Sequence, residues 1–182
     1  MAYDVYTLKG YVLKVQEYGE YDKRFVFLSE EKGLIEVMAI SAMKSTSKLR
    51  GFITRFCYLE INVVHGKRGY RLTRAKISGR GFLVYSKEAY YLLARFSELV
   101  LLILPLGASS IEASLIFDEI TTFLENNIIT DTDSNNLYYK YALKLLNEMG
   151  YRDQNLALPD SGLEQKQELQ DILSLNGIKN ML

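Results

Sequence analysis

Lys44, Lys48, Arg50 and Arg55 fall in one short stretch, interleaved with Ser45, Thr46 and Ser47. Cationic and hydroxyl side chains in that mixture are phosphate ligands: the cations supply charge and the hydroxyls donate to free oxygens. Lys67, Arg68, Arg71, Arg74 and Lys76 follow closely. From Val37 to Lys87 the chain carries 11 basic side chains and 1 acid, Glu60. Phe52, Phe56, Tyr58 and Tyr70 are interspersed among them. Sequence-tolerant binding of single strands uses this combination, with cations along the phosphates and rings beneath the bases. The expected nucleic-acid ligands are therefore Lys44, Lys48, Arg50, Arg55, Lys67, Arg68, Arg71 and Arg74, with Phe52 and Tyr70 as stacking rings. Strand alternation places Arg71 with Thr73 on one face, and Arg74 and Lys76 on the other with Tyr70 and Leu72. On that reading the cations do not all share a surface. The bland alternatives are a solvated face for the charges and barrel filling for the rings.

The whole chain is formally neutral, which conceals a dipolar arrangement. Residues 1–85 hold 15 Lys+Arg against 8 Asp+Glu, a net of +7, and residues 86–182 hold 7 against 14, a net of −7. Such asymmetry points to one half that meets a polyanion and another that does not. An apolar fraction of 48% over 182 residues suffices for one or two domains with real cores. The single cysteine, Cys57, leaves no disulfide framework and no cysteine-rich zinc site, and is compatible with a reducing cytoplasm. No secretory leader is visible in Met1 to Gly10. The most apolar run, Leu99 to Leu104, ends at Pro105 and is far shorter than the ~20 residues of a membrane span. A soluble, cytoplasmic protein is expected, with no cofactor.

Catalytic constellations fail on inspection. His65 is the only histidine and sits beside a turn, so nucleophilic systems that need a histidine base lack a credible one. Gly79-Arg80-Gly81 is too short for a phosphate loop. Asp131 to Asn135 opens like a calcium loop, but Asn136 stands where glycine is needed and Ala142 where glutamate is needed. That segment reads instead as a solvated turn leading into a helix. Glu30/Glu31 and Asp118/Glu119 read as turn and helix-surface charges. No enzyme is expected.

The first eighty residues carry the pattern of strands: Tyr6 to Tyr18, Arg24 to Ser29, Leu34 to Ile40, Cys57 to His65 and Tyr70 to Ser78. Gly66-Lys67-Arg68-Gly69 marks a hairpin. The basic connection Ser41 to Phe56 has room for a short helix. Five strands with a long insertion after the third are the layout of an OB-fold barrel. From Ser86 onward the period becomes helical. Ser86 caps a helix ending at Pro105, Ser109 with Glu112 forms a capping box, a third helix starts near Asn136, and Ser161 with Glu164 repeats the box. The expected fold is α+β: an OB-fold over residues 1–82 that binds nucleic acid, then an all-α bundle over 83–182.

Three segments in order then become familiar: Gly10-Tyr-Val-Leu-Lys-Val-Gln-Glu-Tyr-Gly-Glu-Tyr-Asp-Lys23, Leu28-Ser-Glu-Glu-Lys-Gly-Leu34, and Ser47-Lys-Leu-Arg-Gly51 followed by Phe56 and Leu59-Glu60. Together they resemble the bacterial recombination mediator family RecO. Tyr138 to Tyr151 is similar to that family's helix ending in Gly-Tyr. The resemblance implies an OB-fold followed by a helical domain, and a non-enzymatic role in DNA repair. That role comprises binding single- and double-stranded DNA, annealing complementary strands, and helping a recombinase onto strands coated by single-stranded-DNA-binding protein. It implies RecR and the tail of that coating protein as partners, held by the helical domain over 83–182. Lys23 takes the place of the family's corner arginine and joins the expected nucleic-acid ligands, and Lys48 and Arg50 match its loop pair and are the first DNA-contact candidates. Two departures stand out: the four-cysteine zinc module is missing after Tyr151, and the loop before Ser47 is poorer in arginine. Weaker DNA affinity is the expected consequence. The rival reading is an OB-fold protein-interaction module with little or no DNA binding, and an RNA ligand is a third.

Overall fold

Alternating apolar and polar side chains build five strands: β1 (Val5–Tyr18), β2 (Asp22–Ser29), β3 (Gly33–Ala39), β4 (Tyr58–Gly66) and β5 (Gly69–Ile77). The computed structural model describes residues 4–49, 51–78, 85–153 and 156–177. The strands close into a barrel in the order β1-β2-β3-β5-β4, with β4 returning to pair with β1. Every pairing is antiparallel except β3 with β5, where Val37 and Met38 run parallel to Tyr70 and Arg71. This is the five-stranded OB-fold barrel read from the sequence. Closure removes the open edges that a flat five-stranded sheet would present. Phe25, Phe27, Val37, Leu59, Ile61 and Val63 fill the interior with essentially no exposure.

The chain divides into two packed units. One is Met1–Val84 with Leu104–Ser114; the other is Tyr85–Ile103 with Leu115–Leu182. The excursion at Leu104 belongs to the barrel because it clasps β3. Leu34 N–H donates to Ala108 O (3.1 Å) and Gly107 N–H donates to Leu34 O (2.7 Å). The close approach demands glycine at 33, whose φ is +65° and whose missing Cβ would lie 1.9 Å from Ala108 O.

Four helices follow among the described residues: α1 (Lys87–Ile103), α2 (Ile111–Asn126), α3 (Asp131–Glu148) and α4 (Gly162–Leu175). Among the described residues none is long and apolar enough to cross a membrane. In the helical unit α1 packs on α3 and α3 on α4. Leu92, Phe96, Phe117, Tyr138, Leu145 and Leu169 are completely buried there. The capping box of Ser161 and Glu164 forms as expected.

Three local expectations need correction. The cap of α2 is Ser110, which accepts from Ala113 N–H at 3.1 Å, and not Ser109. Helix α3 begins at Asp131, five residues before the expected Asn136, because Thr130 and Asp133 make a reciprocal capping box. The acids of the apparent calcium loop thus lie in a first helical turn, where the helix dipole favours them. The backbone bonds of Thr130 hold the Asp133 carboxyl below the usual carboxylate range. Finally, Ser41 to Phe56 holds no helix among its described residues and is a chain of turns. Ser41 and Phe56 have φ of 55° and 66°, and Ser47 Oγ accepts from Leu49 N–H. Such local side-chain bonds compete with helical ones.

Candidate nucleic-acid interface

Strand β5 carries the densest group of expected ligands, and its register decides where they point. Against β4 the pairing runs Val64↔Arg71, Val63↔Leu72, then Asn62↔Arg74, so Thr73 is the extra residue of a β-bulge. Its hydroxyl donates to Asn62 O at 3.0 Å. Before the bulge, Tyr70 and Leu72 face the core; after it, Ala75 and Ile77 do. The bulge therefore turns Arg71, Arg74 and Lys76 all outward, and all three are exposed. Simple alternation splits them between two faces; the structure brings them to one.

Neighbouring strands extend this outer face. In register across the barrel, Arg24 of β2 flanks Met38 of β3, and Arg71 of β5 flanks it on the other side. With strands spaced ~4.8 Å apart, Arg24 and Arg71 lie about 10 Å apart through their backbones. Arg24 is a cation of this face that sequence reasoning missed. The signal was there: Lys23 shares the parity of Phe25 and Phe27, which fill the core, whereas Arg24 shares that of Val26. Two carboxylates moderate the face. Glu60 pairs with Lys76 at 3.1 Å and Glu36 with Arg24 at 3.4 Å, both at half-open sites where such pairs contribute little.

The remaining expected residues divide by how they are held. Lys23 turns to the inner side, where its ammonium donates to Ile53 O at 3.1 Å. Arg55 donates from Nε to Leu13 O at 3.1 Å and lies over the Phe56 ring. Both cations fasten the long β3–β4 loop to the barrel. Lys44 is exposed with its ammonium 5.5 Å from the centre of the Tyr21 ring. Lys48 in the loop, and Lys67 and Arg68 at the tip of the β4–β5 hairpin, are exposed. Those three, with Arg71 and Arg74, have no hydrogen-bond or ion-pair partner among the described residues. Arg50 lies outside the described residues. Of the two stacking candidates, Phe52 is half-buried in the loop. Tyr70 packs against the barrel core, edge-on to Tyr6 at 6.4 Å and against His65 at 4.7 Å.

Cys57 is buried, which pushes its thiol up and works against thiolate chemistry. Among the described residues no group of His, Cys, Asp and Glu is arranged to hold a metal ion. What the outer face offers chemically is electrostatic: guanidinium and ammonium groups in register, ready to replace the counterions of a phosphate chain.

Comparison with known proteins agrees with this geometry. Residues 1–80 match the family described as Recombination protein O N terminal. The chain is 29% identical over 148 residues to the DNA repair protein RecO of Clostridium novyi, an alignment covering 81% of this chain and 57% of that protein. It is 38% identical over 68 residues to the DNA repair protein RecO of Clostridium perfringens, covering 37% and 28% respectively. A third relative, the DNA repair protein RecO of Dehalococcoides mccartyi, is 30% identical over 91 residues, covering 47% and 36%. The chain thus matches little more than half the length of these relatives at most.

Proposed function

We propose that this chain, whose residues 1–80 match the family described as Recombination protein O N terminal, is a RecO-like DNA-binding protein of repair and recombination whose ligand is gripped by the outer face of the barrel. One observation carries the reading: the bulge at Thr73 sets Arg71, Arg74 and Lys76 on one surface, in line with Arg24. Lys67, Arg68, Lys44 and Lys48 add charge from the flanking hairpin and loop. Backbone contacts of this type bind without reading sequence. The protein acts as a mediator and not as an enzyme: it binds single strands, anneals them, and with a RecR-like partner assists recombinase loading on strands covered by single-stranded-DNA-binding protein. In this division of labour residues 1–82 hold DNA and 83–182 hold partner proteins. The acidic character of residues 86–182 supports that split, since a net of −7 repels DNA.

The rival reading, a protein-interaction module, draws on the fact that Lys23 and Arg55 are committed to backbone carbonyls. Fluorescence anisotropy with a labelled single-stranded oligonucleotide, titrated over a range of salt, separates the two. The DNA reading expects an affinity that falls linearly on log–log axes, with a slope of about −0.7 per phosphate neutralised. Absence of binding at low salt leaves the interaction module.

A further inference from the structure

Tyr18 and Tyr21 frame the turn between β1 and β2 and stay 52% and 43% exposed. Each ring has a cation above it: the Arg24 guanidinium 5.4 Å from the centre of Tyr18, and the Lys44 ammonium 5.5 Å from that of Tyr21. Exposed tyrosines are common on turns, but this turn is fixed. Tyr18 and Asp22 form the last pair of the β1–β2 ladder. Met43 N–H donates to Tyr21 O at 2.8 Å, and Ser41 N–H donates to Asp22 Oδ1 at 2.7 Å. Those two bonds bind the basic loop to the turn, so that Lys44 arrives at Tyr21 by construction. Tyr18, Gln16 and Arg24 share the outward parity, which makes Tyr18 the diagonal neighbour of Arg24 on the face that runs through Met38 to Arg71.

The charges around the turn say which part of a strand belongs there. Glu17, Glu20 and Asp22 cluster at the tip, and Glu36 faces Arg24. The carboxylate of Asp22 is occupied by Ser41 N–H, and Glu20 is hydrogen-bonded to the Tyr21 hydroxyl, which raises that phenol's pKa. Phosphates are disfavoured over such a tip, whereas neutral bases are not. Aromatic rings backed by cations are good partners for bases.

We propose that Tyr18 and Tyr21 form a base-stacking platform for single-stranded DNA, with the phosphates of the same strand passing over Arg24 and Arg71. The proposal rests on the DNA reading of the outer face and assigns to the turn the stacking role expected of Phe52 and Tyr70. Its test compares Tyr18→Leu/Tyr21→Leu with Tyr18→Phe/Tyr21→Phe, each checked for an unchanged melting curve. Binding is measured to a thymine-containing oligonucleotide and to an abasic one of equal length, over a range of salt. The unsubstituted protein is expected to prefer the strand with bases. The leucine pair loses about fivefold per ring on that strand, keeps its affinity for the abasic strand and keeps its salt slope. The phenylalanine pair behaves as the unsubstituted protein. Equal binding of both strands by the unsubstituted protein, or undiminished binding by the leucine pair, overturns the platform and leaves the phosphate face standing. No binding of either strand at low salt overturns both.

Discussion

Several cations in the helical unit are committed, whereas Arg71 and Arg74 on the barrel's outer face are not. In the former, Arg152 is 8% exposed and donates to Glu168 (2.7 Å) and to the carbonyls of Leu156 and Ala157 (both 2.6 Å). Arg95 lies 3.7 Å over the Tyr138 ring and donates to Asn135 at 2.9 Å. Lys144 pairs with Glu119. Arg71, Arg74, Lys67 and Arg68 of the barrel point to solvent with no partner among the described residues. The difference teaches that net charge gives the sign of a surface, while hydrogen bonding decides whether a cation is available to a ligand. Lys23 and Arg55 make the same point inside the barrel, where two basic residues act as fasteners.

The most forceful ways to probe the contrast are structural. Gly33→Ala sets a Cβ against Ala108 O and forces the clasp on β3 apart, so stability should fall by about 3 kcal/mol in chemical denaturation. Arg152→Met orphans two carbonyls and Glu168; a loss of about 2–3 kcal/mol is expected, with the salt slope of DNA binding unaltered. A shallower slope in that variant would break the distinction between committed and available cations. Arg71→Ala/Arg74→Ala should do the reverse, leaving the denaturation curve in place and making the slope shallower by about 1.4. Lys23→Met sharpens the comparison at a smaller scale: about 1 kcal/mol of stability is lost with the Ile53 bond while the slope holds. The gentlest test is alkaline. Burial first, and Glu119 second, push the Tyr141 phenol up to about 12. Its folded pKa exceeds the usual value of 10, so its stabilising contribution is complete below pH 10 and disappears as pH rises through about 12. Tyr141→Phe should flatten that part of the stability profile.

Periodicity made most of the fold readable. Alternation in Leu59, Ile61 and Val63 and helical spacing in Leu92, Phe96 and Leu99 each report a buried face directly. What escaped depended on partners distant in the chain. The bulge at Thr73 becomes visible only against β4, although a trace was present in the apolar residues changing parity between Leu72 and Ala75. The inward turn of Lys23 was obscured by its position at a turn, where charge suggests solvent. Start of α3 at Asp131 was hidden because Asp133 replaces the glutamate or glutamine usual at the third position of a capping box. Ser109 has Glu112 at the capping-box spacing, yet Ser110 caps α2 by accepting from Ala113 N–H and itself donates to Glu112.

A strand can be thought of as a wave whose crests point outward, and Thr73 is a phase slip in that wave. Everything downstream in β5 is inverted relative to what the upstream residues set. Smoothing the bulge out with Thr73 retained would carry Arg74 and Lys76 towards the apolar interior and Ala75 to the surface, whereas deleting Thr73 would leave all three facing as they do now. The barrel's electrostatic identity therefore hangs on the ladder skipping one residue as well as on the kinds of residue around it. Deletion of Thr73 should keep the outward register of Arg74 and Lys76, and the damaging change is one that pulls Thr73 into the ladder.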